Sequence, residues 1–301
     1  MKVLLTGASG FIGTHLLAHL IKCLGSDAVV VITSSIIPGV TSVVYESVRD
    51  FGLDKSKFDD ITHIIHAGAF TPKDASQAND AEQCFKNIEF TTELFSYDYS
   101  NIRRVINLST LDVYAATEDI LSEQSKVEPV SLYGSSKLYC ESIVKAFSKQ
   151  RELEYLNLRL GHVYGPGEEK YKKVLPIAIQ NILEDKPLEM WGDGSDLRSF
   201  IFIQDVVQAI ANALNSPARD KDINVVSGVA VSIRELLEKS IKVSGKNVII
   251  NQRESNCKKR DLVFDNSLLL STLLDKETDF LEGLEIEYKY MKEKHEYNIR
   301  S

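Results

Sequence analysis

The fold is decided by the stretch Lys2-Val3-Leu4-Leu5-Thr6-Gly7-Ala8-Ser9-Gly10-Phe11-Ile12-Gly13, in which an apolar run ends in three spaced glycines. Gly7 permits a tight turn, Gly10 lets the backbone approach a pyrophosphate, and Gly13 allows a following helix to pack closely. The helix N-terminus adds partial positive charge. The order strand, glycines, helix therefore predicts a dinucleotide-binding unit at the start of the chain.

The first half of the chain alternates strand-like and helix-like segments. Apolar runs of this kind, separated by amphipathic helices, are typical of a parallel sheet that is covered on both faces. The fold class that we predict is α/β, with a doubly wound parallel sheet of the Rossmann type. The predicted strands are 2–6, 28–33, 42–45, 62–67, 104–109 and 155–160, and the predicted helices are 11–24, 80–99 and 133–150.

The second half is richer in loops, with glycines at 165–167 and 192–194. A helix is predicted at about 172–184, and the segments 200–203 and 223–226, with a helix after Gln204, are expected to return to the sheet. We therefore expect a dinucleotide-binding domain over residues 1–160, to which 196–226 returns, and a smaller substrate-binding α/β domain over 161–301. The mixed charges after Lys276 indicate a solvated surface helix.

A second motif, Tyr133-Gly134-Ser135-Ser136-Lys137, lies on the predicted helix 133–150. A spacing of four residues puts the phenol and the ammonium on one helix face. The ammonium is expected to lower the phenol pKa by roughly one to three units from about 10. Oxidation of a secondary alcohol needs a hydride acceptor and a proton acceptor, and a dinucleotide and a tyrosine could supply them.

Composition limits the possible partners. The 301 residues are 44% hydrophobic, enough for a substantial core, and 43 acidic against 35 basic residues give a net charge of −8. Without a dense basic tract, neither a nucleic acid nor a membrane is an expected partner. The four cysteines are isolated, which favours reduced thiols over disulfides or a metal site, and we expect a cytoplasmic protein. The cysteines are Cys23, Cys84, Cys140 and Cys257.

The cofactor could be NAD or NADP. The second predicted strand ends in Thr33-Ser34-Ser35, which offers neither the acidic residue typical of NAD sites nor the arginine typical of NADP sites. The sequence leaves this choice open.

Taken together, these motifs resemble an extended short-chain dehydrogenase/reductase of the NAD(P)-dependent nucleotide-sugar epimerase/dehydratase family. The resemblance runs from Met1 to about Tyr288. It includes the glycine pattern and the later blocks 66–69, 107–114, 159–167 and 191–205, together with Asn87 on the helix after the fourth strand.

The resemblance implies roles for particular residues. Thr110 would be the catalytic hydroxyl, with Ser109 in its place if the alignment slips by one, Tyr133 the acid/base and Lys137 its partner. The substrate would contact Thr110, His162, Arg198 and Arg260, of which the arginines suit a diphosphate. Cofactor contacts are expected from Gly7, Ser9, Gly10, Phe11, Ile12, Gly13, Thr33, Ser34, Ala67, Ala69, Asn87, Ser109, Tyr133 and Lys137.

The exact reaction is narrowed by one departure from the family pattern. Dehydratases carry an Asp-Glu pair after the catalytic Thr, whereas this chain has Leu111-Asp112. Leu111 cannot be a general acid, so dehydration is disfavoured, and Asp112 could be a base or, as we prefer, a turn residue. An epimerase similar to UDP-glucose 4-epimerase is slightly favoured over an NADPH-dependent keto-sugar nucleotide reductase, and for an epimerase NAD is slightly favoured over NADP. A non-catalytic dinucleotide sensor is the alternative of another class. The resemblance also implies a homodimer formed through the helices that hold Asn87 and Tyr133.

Overall fold

The computed structural model describes residues 1–52, 58–117, 119–254 and 259–300. Strands and helices alternate along most of this length. The strands are β1 (Val3–Thr6), β2 (Val29–Thr33), β3 (Thr41–Val44), β4 (His63–His66), β5 (Arg104–Thr110), β6 (Glu154–Leu160), β7 (His162–Tyr164), β8 (Leu188–Trp191), β9 (Leu197–Phe202), β10 (Lys221–Val225), β11 (Ala230–Ser232) and β12 (Ile250–Arg253). The helices are α1 (Phe11–Leu24), α2 (Ala81–Leu94), α3 (Leu132–Gln150), α4 (Val174–Leu183), α5 (Ile203–Ala213), α6 (Ile233–Ser244), α7 (Ser267–Thr272) and α8 (Phe280–Arg300).

The main sheet has seven parallel strands in the order β10-β6-β5-β4-β1-β2-β3. The direction of winding reverses between β1 and β4, and ligands of such sheets bind at the carboxyl ends of the strands beside this switch point. The predicted fold class, a doubly wound parallel sheet, is confirmed.

Apolar side chains on both faces of this sheet form the core. Helices α1 and α5 pack on one face and α2 and α3 on the other, and the central strands β1, β2 and β5 are buried throughout. Cys84 and Cys140 are buried free thiols and Cys23 is an exposed one, whereas Cys257 lies outside the described residues.

A three-stranded sheet, β11-β9-β7, lies beside the main one. The expectation that 200–203 returns to the main sheet is wrong, because β9 pairs with β7 in parallel and with β11 in antiparallel orientation. The chain re-enters the main sheet through β10, which pairs with β6. Helices α4, α6 and α8 pack against one another, and β8 pairs with β12.

The described residues lack two kinds of feature, a metal-binding cluster and a membrane-spanning helix. No cluster of three or more His, Cys, Asp or Glu side chains there could ligate a metal ion. Among the helices described, none combines the length and the apolar character that a bilayer crossing requires.

Candidate active site

A cavity of about 640 Å³ opens at the carboxyl ends of β1, β4, β5 and β6. Its volume falls within the range of cofactor and ligand sites. Many of the residues predicted from the sequence meet in its wall. These are Gly7, Gly10, Phe11, Ile12, Gly13, Ala67, Ala69, Ser109, Thr110, Tyr133, Lys137, His162 and Arg260.

The turn between β1 and α1 brings bare backbone to this cavity. Gly7 has a φ of 72°, and the amide of Gly10 donates a hydrogen bond of 2.9 Å to the Gly7 carbonyl. A Cβ atom on Gly13 would lie 1.9 Å from the same carbonyl, and one on Gly7 would lie 2.5 Å from the carbonyl of Ala67. Only glycine permits this turn, and the N-terminus of α1 faces the space that it leaves.

Lys137 supplies a second feature that fits a bound dinucleotide. Its side chain is 3% exposed and lines the cavity, and burial lowers its pKa. Within the described part of the chain, no hydrogen bond or ion pair joins its ammonium to another protein group. A buried ammonium without a protein partner is costly unless a ligand supplies acceptors. The glycine turn and this lysine therefore fit the ribose and phosphates of a dinucleotide.

Five predicted contacts lie outside the cavity wall. Ser9 and Ser34 are exposed, and Thr33 is buried at the end of β2, where its carbonyl accepts from the Tyr45 amide. The other two are Asn87 and Arg198.

Asn87 is buried, and its hydrogen bonds hold together two elements that form the cavity wall. Its side-chain oxygen accepts from the Phe70 amide at 2.6 Å, and its amide group donates to the Phe70 carbonyl and to Ser136 Oγ, both at 3.2 Å. This side chain thus connects the loop after β4 to α3, on which Tyr133 and Lys137 lie.

Thr110 and Tyr133 are brought together by a close contact between β5 and α3. Ser131 caps α3 by accepting from the Gly134 amide at 3.1 Å. A Cβ on Gly134 would lie 2.2 Å from the Asp112 carbonyl, so glycine is needed where the helix meets the turn after β5. The hydroxyls of Thr71 and Thr110 line the same cavity wall as the Tyr133 phenol, and both favour its ionised form.

Ser109 and Thr110 have different partners, which separates their roles. Ser109 Oγ donates to Glu141 Oε1 at 2.6 Å, and Glu141 in turn binds the buried guanidinium of Arg159. The Ser109 hydroxyl is therefore engaged in a buried network below the cavity. Thr110 is the hydroxyl of this pair that lowers the pKa of the Tyr133 phenol.

The pKa of Tyr133 differs from the sequence prediction. It is raised rather than lowered, chiefly by burial and secondly by the Asp112 carboxylate, whereas the hydroxyls of Thr71 and Thr110 oppose the rise. Lys137, which was expected to stabilise the phenolate, is not among the main groups that act on the pKa of Tyr133, and burial decides the direction of the shift. The protein by itself thus keeps this phenol protonated at neutral pH.

Asp112 lies in a short 3-10 turn, 111–113, and its carboxylate also lines the cavity. Its Oδ2 is 3.4 Å from Thr110 Oγ1, and its amide donates to the same oxygen at 3.2 Å. Burial raises the pKa of this carboxyl, and the guanidinium of Arg260 opposes the rise. The residue is both a turn residue, as we preferred, and a titratable group of the site.

Two of the predicted substrate contacts, His162 and Arg260, line the part of the cavity that also includes Lys173, which we call its far end. Burial, followed by the charges of Lys173 and Arg198, lowers the pKa of His162 to about 4, so its ring is neutral at pH 7. His162 Nδ1 has no hydrogen-bond partner in the described residues. Arg260 lines the same end, and its amide donates to Asp196 Oδ1 at 2.8 Å.

Arg198 binds the backbone of Arg260 and does not line the cavity. Its guanidinium donates to the carbonyls of Leu197, at 2.8 Å, and of Arg260. The arginine therefore ties the segment that carries Arg260 to β9 and does not itself enter the cavity wall.

The sequence analysis missed several residues of the cavity wall, of which four have side chains suited to substrate binding or to the chemistry. Thr71 approaches Tyr133, and Lys73, Lys172 and Lys173 add positive charge to the wall. The amide of Lys172 donates to the Lys73 carbonyl at 3.2 Å, which joins the loop after β4 to the segment before α4. The run Lys170-Tyr171-Lys172-Lys173 was a usable signal, because such a basic run is unusual in a chain with a net charge of −8.

Comparison with known proteins identifies the family. Residues 3–226 match the NAD dependent epimerase/dehydratase family. The chain belongs to this family. The match covers the glycine turn, the Tyr133 and Lys137 motif and the sheet that carries them, and the predicted resemblance is confirmed.

Individual relatives have related activities. The crystal structure of a UDP-glucuronic acid 4-epimerase from Bacillus cereus, in complex with NAD, superposes with a TM-score of 0.83 at 28% identity and covers 98% of this chain and 100% of that one. A putative UDP-glucose 4-epimerase from Methanocaldococcus jannaschii is 28% identical over 78% of this chain and 80% of its own length.

A longer relative from Arabidopsis thaliana is described as a trifunctional UDP-glucose 4,6-dehydratase/UDP-4-keto-6-deoxy-D-glucose 3,5-epimerase/UDP-4-keto-L-rhamnose-reductase. It is 29% identical over 71% of this chain. The matched region spans only 35% of that protein's length.

Proposed function

We propose that the protein is an NAD-dependent nucleotide-sugar epimerase similar to UDP-glucose 4-epimerase. The observation that carries the proposal is the meeting of Thr110, Tyr133 and Lys137 in one cavity with the glycine turn. The names of the relatives support the choice of UDP-sugars, and the bound NAD of the Bacillus cereus enzyme supports the choice of NAD.

The proposed roles follow from the positions of the side chains. Tyr133 takes the proton of the sugar hydroxyl during oxidation and returns it to the ketone oxygen during reduction. Thr110 holds the same oxygen by a hydrogen bond as charge develops on it. Bound NAD supplies the hydride acceptor for the first step and the hydride donor for the second. Lys137 binds the ribose next to the reacting ring and adds positive charge near the phenol.

The substrate is proposed to lie between β7 and the loop after β4. Arg260 and Lys173 suit the diphosphate, because both cations line the far end of the cavity. His162 supplies a neutral hydrogen-bonding ring at this end. Residues 161–301, without the segment 203–225 that returns to the main sheet through α5 and β10, would form the substrate-binding domain, because β9 pairs with β7 and β11.

The reductase alternative is supported by one observation. The end of β2 carries Thr33 and Ser34, and neither offers the carboxylate that typically binds the ribose 2′-hydroxyl of NAD. An epimerase should interconvert a UDP-hexose pair without net change in the absorbance of NADH at 340 nm. A reductase should instead consume NADPH in proportion to product.

The central test is Tyr133→Phe. Removal of the phenol oxygen should cut epimerase turnover roughly 10²- to 10⁴-fold, because general acid–base help is lost. The affinity for NAD, measured by calorimetry, should change less than threefold (about 0.6 kcal/mol). Tyr139→Phe is the matched control, since Tyr139 lies on the same helix but is 56% exposed. Turnover near wild type in Tyr133→Phe would remove this residue from the mechanism.

The proposed assembly is a homodimer formed through α2 and α3. These helices pack side by side, and each carries a large apolar residue on its outer surface, Phe85 at 53% and Tyr139 at 56% exposure. A cytoplasmic location is also proposed, and the free thiols of Cys84 and Cys140 support it.

A further inference from the structure

Two glutamates that the proposed chemistry does not use are buried side by side next to the cavity. Glu168 follows the Gly165-Pro166-Gly167 turn, Glu287 lies on α8, and each is 1% exposed. Tyr290 and Lys294, which lie on the same face of α8 as Glu287, both contact Glu169, the residue next to Glu168, and the two buried carboxyl groups act on each other's pKa as neighbours. Helix α8 thus meets the segment that leads into α4 through a pair of carboxyl groups.

The hydrogen bonding of this pair requires a proton. Among the described residues, no N–H or O–H group donates to Glu168 Oε1 or to either carboxyl oxygen of Glu287. Two neighbouring buried carboxyl groups cannot both ionise without a large cost in free energy. A proton held between them gives one oxygen a donor and leaves a single negative charge on the pair. Burial also raises the pKa of both groups.

The remaining charge is best placed on Glu168. Lys173 Nζ lies 3.5 Å from Glu168 Oε2 and donates to the Val163 carbonyl at 3.1 Å. Among the described residues no cation forms an ion pair with Glu287, on which the charge of Lys173 has only a minor effect, so Glu287 is the better site for the proton. Other charged or titratable groups that face the pair or its neighbours are Tyr164, Glu169, Tyr171, Tyr290 and Lys294, of which Lys294 pairs with Glu169.

We propose that Glu168 and Glu287 form a carboxylate–carboxylic acid pair that positions the Lys173 ammonium in the cavity wall. Glu287 donates its hydrogen bond to Glu168, Glu168 holds Lys173, and Lys173 faces the space where the anionic part of the substrate would bind. The two glutamates are positioning residues, and α8 becomes a part of the substrate site. The link to substrate rests on the proposed function, whereas the shared proton does not.

The shared proton is tested by thermal unfolding of the full chain as a function of pH. A glutamate with a raised folded pKa must bind a proton on folding, so its presence costs stability increasingly as pH rises above the unfolded value of about 4.3. Glu287→Gln keeps a hydrogen-bond donor but needs no proton. Its Tm should exceed that of the wild type by roughly 3 °C at pH 8, and the gain should vanish towards pH 4.5.

The control for this experiment is Glu285→Gln, which makes the same change on the exposed face of α8. Its Tm should follow the wild-type curve at every pH. A Tm difference for Glu287→Gln that does not vary with pH, or a loss of Tm at pH 8, would overturn the shared proton.

The link to Lys173 is tested by calorimetric titration with UDP. Glu168→Gln removes the charge that holds Lys173 and should weaken UDP binding about tenfold, as should Lys173→Met, and the double variant should lose little more. NAD affinity should stay within threefold of wild type (about 0.6 kcal/mol) in all three. Glu287→Gln should bind UDP as tightly as the wild type does, because its amide can still donate a hydrogen bond to Glu168. Glu287→Leu, which has no donor, should bind UDP more weakly.

The outcomes separate this inference from the proposed function. If Glu168→Gln binds UDP as wild type does, the positioning role is wrong. If the wild type itself does not bind UDP, both the nucleotide-sugar proposal and the positioning role of Glu168 are wrong. The pH dependence of the Tm of Glu287→Gln still decides whether the proton is shared.

Discussion

Tyr133, the proposed acid/base residue, lies in surroundings that oppose its ionisation. Burial and Asp112 both raise the pKa of Tyr133, and the hydroxyls of Thr71 and Thr110 only partly oppose them. A proton acceptor in such a site depends on positive charge that arrives with ligands. The balance between Asp112 and that charge should therefore set the pH at which the enzyme works.

Replacement of one carboxylate tests this balance. In Asp112→Asn the negative charge near the phenol is lost, so the phenolate becomes easier to form. The acidic limb of the pH profile of kcat/KM should move to lower pH by about half a unit, as expected for one charge at about 6 Å in a watery cavity. Steady-state rates between pH 5.5 and 9 measure the shift. Asp119→Asn, an exposed change, should leave the limb in place, and a shift to higher pH in Asp112→Asn would contradict the argument.

The two arginines should behave differently. Arg260 lines the cavity, whereas the guanidinium of Arg198 is used by the carbonyls of Leu197 and Arg260. Arg260→Ala should weaken UDP binding roughly ten- to hundredfold, because a charge-assisted hydrogen bond worth about 1.5–3 kcal/mol is lost. The Tm of this variant should not change. Arg198→Ala should weaken UDP binding and also lower the Tm. Calorimetry and thermal unfolding distinguish the two.

An exposed arginine gives the control for this pair. Arg253 on β12 pairs with Glu189 far from the cavity wall, so Arg253→Ala should alter neither quantity. Equal UDP affinities of Arg260→Ala and the wild type would exclude a diphosphate contact at Arg260.

At the scale of elements, the turn between β1 and α1 is the least tolerant part of the site. Gly13→Ala would place a Cβ 1.9 Å from the Gly7 carbonyl, so the turn must open and the backbone must leave the cavity wall. We expect NAD binding to weaken at least a hundredfold (about 2.7 kcal/mol), measured by calorimetry.

A glycine outside the site provides the comparison. Gly245 ends α6 with a φ of 67° and has nothing within 4 Å of an added Cβ. Gly245→Ala should cost about 1 kcal/mol of stability and leave NAD affinity unchanged. If Gly13→Ala binds NAD as tightly as Gly245→Ala does, the turn is not the dinucleotide cradle.

Elements were predictable from the sequence where a local pattern dictates them. The α1 helix begins and ends where its apolar spacing and the glycines predict. The next helix was predicted to run to 99 but ends at Leu94, where the hydroxyl of Tyr99 donates to the last carbonyl of the helix. The sheet to which 200–203 belongs could not be predicted, because an apolar run does not encode its pairing partner.

The site was predictable to the extent that its residues stand in sequence motifs. Tyr133, Lys137 and the glycines occupy short motifs with a fixed spacing. Thr71 and Lys173 reach the cavity only through the tertiary fold, and the pKa of Tyr133 depends on burial. Sequence spacing placed Tyr133 and Lys137 in one helix and on one cavity wall, but it could not predict their desolvation, and desolvation decided the sign of the pKa shift.

At the scale of the whole molecule, charge is distributed unevenly. The chain carries a net charge of −8, yet the cavity wall is rich in cations. Such a local field favours an anionic ligand and disfavours the approach of large polyanions to the rest of the surface. The basic side chains of the wall are Lys73, Lys137, Lys172, Lys173 and Arg260, and the acidic ones are Asp74 and Asp112.

The proposed dimer gives the prediction at the largest scale. A stable interface buries about 800 Å² per partner and centres on apolar anchors, and Phe85 and Tyr139 are such side chains on neighbouring helices. Tyr139→Glu would bury a charge in that interface, so light scattering after size exclusion should show the monomer mass of 33.7 kDa in place of twice that value. Ile249→Glu, at a site that is 71% exposed away from α2 and α3, should stay dimeric. A wild-type protein that is monomeric at every concentration tested would refute the dimer and leave the cavity and its chemistry as they are.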